Sequence, residues 1–264
     1  MRHLAATTVL LLLASPAAHA APLAAHHAVY ALTLDTSKTE DVIAAHGTMT
    51  YDVLDACAAW TTSQHLVIDL TNKQGQDVHM VSDYATLESK DGTHLDFHTK
   101  QVTGDAITQK LDGTATLEHA GGRGQATYTN PEKTQVLLPD GTLLPMAHTN
   151  ALLNAAAAGR KFLSVPLFDG TGAGGAQDTF VTIESWAKPA PGKIPAKWAA
   201  LATLASGHIH IAFFDRNTTA ETPNYEIGMT YYANGVADSL AMNFGDFLMN
   251  GRLEQLDLHT APHC

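Results

Sequence analysis

Histidine is the residue type with the most chemical reach in this chain: there are fifteen, thirteen of them beyond the first twenty residues. Imidazole binds zinc or copper and exchanges protons near neutral pH. Alternate residues of a strand share a face, so His94, Asp96 and His98 point together, as do His208 and His210. A metal site would need a further ligand and an orienting partner at a fixed spacing from such a pair, and the sequence supplies neither. Leu95, Phe97, Ile209 and Ile211 give these histidines a plainer place, on the polar outer face of strands whose apolar face turns inward. No metal and no cofactor are expected.

Other catalytic patterns are missing. No serine has glycine two residues before it, and there is no His-Glu-x-x-His helix and no Walker loop. Gly170-Thr171-Gly172-Ala173-Gly174-Gly175 has the composition of a phosphate cradle. Such a loop must lead into a helix N-terminus, whereas Thr179 to Ile183 reads as a strand, so a flexible hairpin tip is expected. The carboxylates are scattered, and no two are spaced to work as an acid–base pair. Asn217-Thr218-Thr219 has the form of a glycosylation triplet, but its context is a loop between strands. These absences point away from an enzyme.

Cys57 and Cys264 are the two cysteines. Joined, they would close a loop of nearly the whole chain; unjoined, they would be two buried thiols. An exported chain favours the first, and a cysteine as the last residue reads as a staple on a tail that would otherwise fray. Export is expected because Arg2 and His3 precede an apolar run, Leu4 to Leu13, and Ala18-His19-Ala20 has the small-x-small form of a cleavage site. Residues 1–20 thus read as a signal peptide cleaved after Ala20, and an apolar run of about ten residues is too short to span a bilayer. No transmembrane segment is expected in the mature chain.

The elements that must position these residues are strands. Ala28 to Leu34, Gly47 to Leu54, Trp60 to Leu70 and Asp77 to Leu87 alternate apolar and polar residues between polar or turn-rich segments, and further strands lie around Leu95–Phe97 and Ile107–Leu111. Phe162 to Phe168 and Asp178 to Trp186 read as a hairpin, and His208 to Phe214 as another strand. Pro189, Pro191 and Pro195 mark an irregular connection before a short helical turn at Lys197 to Leu204. Turn signals at intervals of about 8–12 residues argue for a sandwich, barrel or curled sheet over βαβ units. One helix interrupts them near 146–158, opened by Pro145, rich in alanine and ended by Gly159. Its small side chains suit the concave side of a curved sheet. With no domain boundary in view, 21–264 is read as a single domain.

The terminal strands carry the binding expectation. Tyr225, Ile227, Met229 and Tyr231 alternate with polar residues, Asn234-Gly235 reads as a two-residue type I′ turn, and Leu240, Met242 and Phe244 share one face of the return strand. A third run from Phe247 slips phase near Glu254-Gln255, as a bulge requires. Ile227, Met229, Tyr231, Leu240, Met242 and Phe244 mix aromatic side chains with pliable methionine, which suits a variable apolar guest such as an acyl chain or the lipidated end of a partner. The same residues could instead pack on the helix as a closed core.

Charge narrows the partners. The net charge is −11 with histidines neutral, and removing Arg2 with the leader makes it −12. Such a chain is repelled by nucleic acid and by anionic membrane surfaces.

Several pieces carry a family resemblance: His27-Ala28-Val29-Tyr30-Ala31-Leu32-Thr33-Leu34, Gly47-Thr48-Met49-Thr50-Tyr51, Leu143-Leu144-Pro145, Val165-Pro166-Leu167-Phe168-Asp169-Gly170, and Tyr232-Ala233-Asn234-Gly235-Val236 through Phe244-Gly245-Asp246-Phe247 to Cys264. In their order and spacing the chain resembles the cell-envelope integrity protein EipB family of Gram-negative periplasms. The resemblance implies a mainly all-β fold, a long antiparallel sheet wound into an open, spiral-like barrel around one α-helix, with the family's single disulfide on Cys57 and Cys264. It also implies a role in envelope maintenance, through an unknown envelope protein, lipoprotein or lipid as partner, and supplies no catalytic residue. Related sequences often carry glycine and a polar residue where this chain has Cys57-Ala58-Ala59-Trp60. The leading expectation is a non-catalytic binding protein, the alternative is an interaction module working through exposed strand edges, and a metal-dependent enzyme stands third.

Overall fold

Alternating apolar residues build nearly the whole molecule. The computed structural model describes residues 21–189, 196–216, 222–260 and 262–264, so the expected signal peptide, Pro191, Pro195 and the Asn217-Thr218-Thr219 triplet lie outside the described residues. Eight strands come first: β1 (His26–Thr39), β2 (Val42–Asp55), β3 (Ala59–Asn72), β4 (Asp77–Ser89), β5 (His94–Thr103), β6 (Ala106–Leu117), β7 (Gly124–Asn130) and β8 (Thr134–Leu138). The helix α1 (Pro145–Ala157) follows. Six more strands complete the chain: β9 (Phe162–Leu167), β10 (Gln177–Ile183), β11 (Ser206–Asp215), β12 (Tyr225–Tyr232), β13 (Ala237–Asn243) and β14 (Phe247–Leu258), with a short 3-10 stretch at Ala196–Leu201.

All fourteen strands belong to one sheet, in the order β8-β7-β6-β5-β4-β3-β2-β1-β14-β13-β12-β11-β10-β9. The first eight and the last six are each a meander of antiparallel neighbours, and pairing of β1 with β14, His26 opposite Leu258, joins the two. The sheet curls without closing. Its edges are β8 and β9, and near the mouth Leu143 pairs with Leu167, its N–H donating to Pro166 O at 2.9 Å. The register of β1 on β14 jumps from Tyr30–Leu253 to Val29–Gln255, leaving Glu254 as the extra residue of the bulge that the phase slip predicted.

The expected type I′ turn takes a different form. Gly235 has φ of +84° while Asn234 is not among the residues of positive φ. Gly235 N–H donates to Tyr232 O and Tyr232 N–H to Val236 O, each at 2.9 Å. This is a longer loop, a turn ending in a left-handed glycine, which also twists a hairpin in the sense its strands require.

Two apolar clusters fill the concave side. The larger joins Tyr30, Leu32, Met49 and Ile68 of the first meander to Ile209, Met229, Leu240 and Met249 of the second, with Leu152 and Leu153 of α1 between them. The smaller lies under β5–β8, where Phe97, Tyr128 and Phe168 meet edge-on at 5.4–6.4 Å between ring centres. The glycine-rich loop after Phe168 is a hairpin tip as expected, but it is tied down. Thr99 Oγ1, Gln109 Nε2 and Tyr128 OH donate to the carbonyls of Gly170, Thr171 and Gly172 at 3.1, 3.0 and 2.8 Å. Among the described residues no helix is long and apolar enough to cross a membrane.

Candidate functional site

Helix α1 fixes one wall of the candidate site, and a strand far away in sequence fixes α1. Its first residue is proline, its N-cap Leu144 offers no side-chain cap, and no acidic residue occupies its first turn. Glu88 of β4 supplies what is missing. Its Oε2 accepts from Met146 N at 2.6 Å and its Oε1 from Ala147 N at 2.9 Å. A carboxylate facing free N–H groups at the positive end of a helix is well placed. Glu88 is only 1% exposed; burial pushes its pKa up to about 7, against the opposing pull of the two N–H groups.

With its start anchored, α1 presents His148, Leu152 and Ala155, one above another at helical spacing, to the interior. Between this face and β1, β2, β3, β11, β12 and β13 lies a cavity of about 170 Å³. Its walls are mostly apolar, built from Met49, Leu152, Ile211, Ile227, Met229, Ala237 and Leu240, with His26, Gln64, His148 and Thr149 as polar members and Tyr30, Tyr51 and Tyr231 adding ring faces and hydroxyls. Four of the six binding residues expected from sequence, Ile227, Met229, Tyr231 and Leu240, therefore meet at one space. Met242 and Phe244 do not line it. Same-face residues step about 7 Å along a strand, which carries these two past the cavity. Met242 is packed into the core, and Phe244 lines a separate hollow of about 160 Å³ with Leu66, Met80 and Val102.

The two buried histidines went unnoticed in the sequence. His148 is 5% exposed and His26 2%. Burial lowers the pKa of His148 to about 4, and burial is likewise the main cause of the lowered pKa of His26. Both rings are neutral at pH 7, and their surroundings fix the tautomers. His26 Nδ1 stands 2.8 Å from Ala24 O, which only accepts, so Nδ1 carries the proton. Thr179 Oγ1 donates to Val165 O at 2.8 Å and must accept from His148 Nε2 at 3.0 Å, so Nε2 carries the proton there. The other nitrogen of each ring is a bare acceptor. Neither is sealed against carbon, since among the described residues Thr86 Oγ1 is the one fully covered side-chain oxygen or nitrogen without a partner. A lone helical histidine beside asparagine and threonine gives no sequence signal of this; its one trace is the i, i+4 spacing to Leu152.

The outward-facing histidines, among them His94, His98, His208 and His210 that stood out in the sequence, lie on the convex face beside carboxylates. His27 meets Asp52 at 2.6 Å, His65 meets Asp83 at 2.6 Å, and His79 meets Asp69 at 2.7 Å, every pair directly cross-strand. His98 pairs with Asp112, His94 lies 3.4 Å from Asp96, His208 2.9 Å from Glu184, and His210 3.6 Å from Glu226. Among the described residues no three of histidine, cysteine, aspartate or glutamate come together as a metal site.

Cys57 and Cys264 are joined, 207 residues apart in sequence and 5.8 Å between Cα atoms. Cys57 sits in the β2–β3 turn at φ of +64°, the left-handed region that glycine takes most easily. Asp55 holds the turn, its Oδ1 accepting from Cys57 N at 2.9 Å and from Lys90 Nζ at 2.6 Å.

Comparison with known proteins agrees with this architecture. The chain is 27% identical over 249 residues to the cell envelope integrity protein EipB of Brucella abortus, covering 93% of this chain and 88% of that protein. A crystal structure of a beta-barrel-like protein from Brucella abortus, described as a domain of unknown function, superposes with a TM-score of 0.80 at 27% identity, over 90% of this chain and 99% of that one. The EipB-like family profile matches residues 17–260, nearly the full length of the sequence, and on that match the chain belongs to the EipB-like family.

Proposed function

We propose that this is a non-catalytic, periplasmic protein of the cell envelope whose curled sheet holds an apolar group of a lipid, lipoprotein or partner protein. An envelope role is supported by the name of its Brucella relative, and export by the disulfide, which persists in oxidising compartments. The observation that carries the binding reading is the cavity of about 170 Å³ between α1 and the terminal strands. Its size limits the guest. A cavity of about 150 Å³ takes one benzene, so a ring or the end of a chain fits and a whole long acyl chain does not. Each methylene placed there contributes about 0.8 kcal/mol.

The test is a titration with an environment-sensitive fluorophore bearing a short apolar tail. Saturable binding by the wild type is expected, at least about tenfold weaker in Ala237→Leu, which adds volume to a cavity wall. The exposed Ile107→Ser serves as the unchanged control. A folded wild type without saturable binding up to probe solubility removes this reading.

A second reading then takes over, in which a partner strand pairs with the edge of the sheet. It is favoured by β8, which has a neighbour on one side only and carries Leu137 at 79% exposure.

A further inference from the structure

We propose that the cavity selects a neutral, ring-sized apolar group that carries a hydrogen-bond donor, such as a phenol or a compact alcohol, with His148 Nδ1 as its acceptor. The inference rests on the binding reading above and adds the chemistry of the guest. Three observations converge on it. First, the polar groups that cannot change role are acceptors. His148 gives its N–H to Thr179 and His26 gives its N–H to Ala24, so each leaves a lone pair, while Tyr30, the largest hydroxyl-bearing wall residue that is fully buried, donates its proton to Ala237 O at 2.8 Å. Gln64, Thr149 and the hydroxyls of Tyr51 and Tyr231 can donate or accept, and adapt to whichever group arrives.

Second, no lysine or arginine lines the cavity, and burial holds both imidazoles neutral. A carboxylate or phosphate placed there would lose its hydration with no cation to replace it. A fatty acid headgroup is therefore disfavoured, and the anionic end of a lipid must stay outside. Third, a guest without a donor leaves an imidazole nitrogen unanswered in a largely apolar chamber, a cost that a hydroxyl or amide N–H removes. Volume and acceptors together describe one ring, or a few carbons, with one donor.

The experiment uses the oxidised full-length mature protein and three small probes, phenol, toluene and benzoate, followed by ligand-observed NMR and calorimetry at pH 7.5. Phenol and toluene have nearly the same shape and differ in the donor. Phenol is expected to bind at least as tightly as toluene, and benzoate not to saturate. In His148→Leu the ratio of phenol to toluene affinity should fall about tenfold. Because that variant could lose its fold, the wild-type protein provides a second readout: the 15N resonance of the bare His148 nitrogen should move with phenol and stay with toluene. Saturable toluene binding with no phenol binding, or an affinity ratio and nitrogen resonance indifferent to the donor, overturns this inference and leaves the cavity as an apolar binding site. Binding by neither toluene nor phenol overturns the binding reading itself.

Discussion

Glu88 and His148 sit near one another in the fold's logic and pull its stability in opposite directions with pH. Glu88 has its pKa raised from 4.5 to about 7 by burial. Between those values the native state holds a proton that the unfolded chain has released, so its share of stability falls as pH rises through that window. His148 is lowered from 6.5 to about 4. There the unfolded chain binds a proton that the native state refuses, so its share rises as pH climbs from about 4 to 6.5, and buried His26 adds to the same side. Tyr51 and Tyr84, the tyrosines that feel Glu88, stay protonated over this range, their own pKa values raised by burial. The wild-type profile should accordingly be shallow. Relative to it, Glu88→Gln should gain stability as pH rises from 4.5 to 7, and His148→Gln should lose stability over 4 to 6.5, both read from urea midpoints. Parallel profiles for all three proteins would show that neither group titrates as its burial requires. None of this is legible in the sequence. Glu88 is 58 residues from the helix start that it caps, and a contact of that separation leaves no local pattern.

Elements were far more legible than sites. Period-2 alternation marked most strands within a few residues, because each has one face on the core and one in solvent. The Glu254 bulge showed as a phase slip for the same reason. The turn after Tyr232 was misjudged because Asn-Gly permits the type I′ form without compelling it; backbone twist can be met by a longer loop with Gly235 alone left-handed. The Gly170 loop was expected to be flexible, since its composition says nothing of the three side chains reaching it from β5, β6 and β7. That docking makes a strong prediction. Gly170 has φ of +75°, and a Cβ there would stand 2.4 Å from the Phe97 ring. Gly170→Ala should destabilise by about 2–4 kcal/mol, combining left-handed strain with overpacking of a rigid ring cluster. Gly172→Ala, with open space around its Cβ and no positive φ, should cost under about 0.5 kcal/mol. Equal losses at both positions, measured by denaturant unfolding, would mean the loop is not seated on the aromatic trio.

At the scale of the molecule, one covalent bond ties the tail after β14 to the β2–β3 turn. Chain-entropy reasoning for a separation of 207 residues gives about 5 kcal/mol as an upper figure, reduced by any order in the unfolded chain. Cys264→Ser should lower the melting temperature, and both wild-type thiols should resist alkylation until reductant is added. Alkylation of the untreated native protein would remove the staple from the account. The pairing of β1 with β14 has another consequence, one of timing. A ribosome makes β1 first and β14 last, yet they are neighbours in mid-sheet. The first meander can assemble early, but its β1 flank stays without a neighbour until residues 247–258 have emerged. Until that final strand arrives the polypeptide carries a temporary open edge, the kind of surface a chaperone shields. The first and last strands of the sheet in sequence order thereby become interior ones, and the lasting borders, β8 and β9, are held by continuous chain through the helix between them.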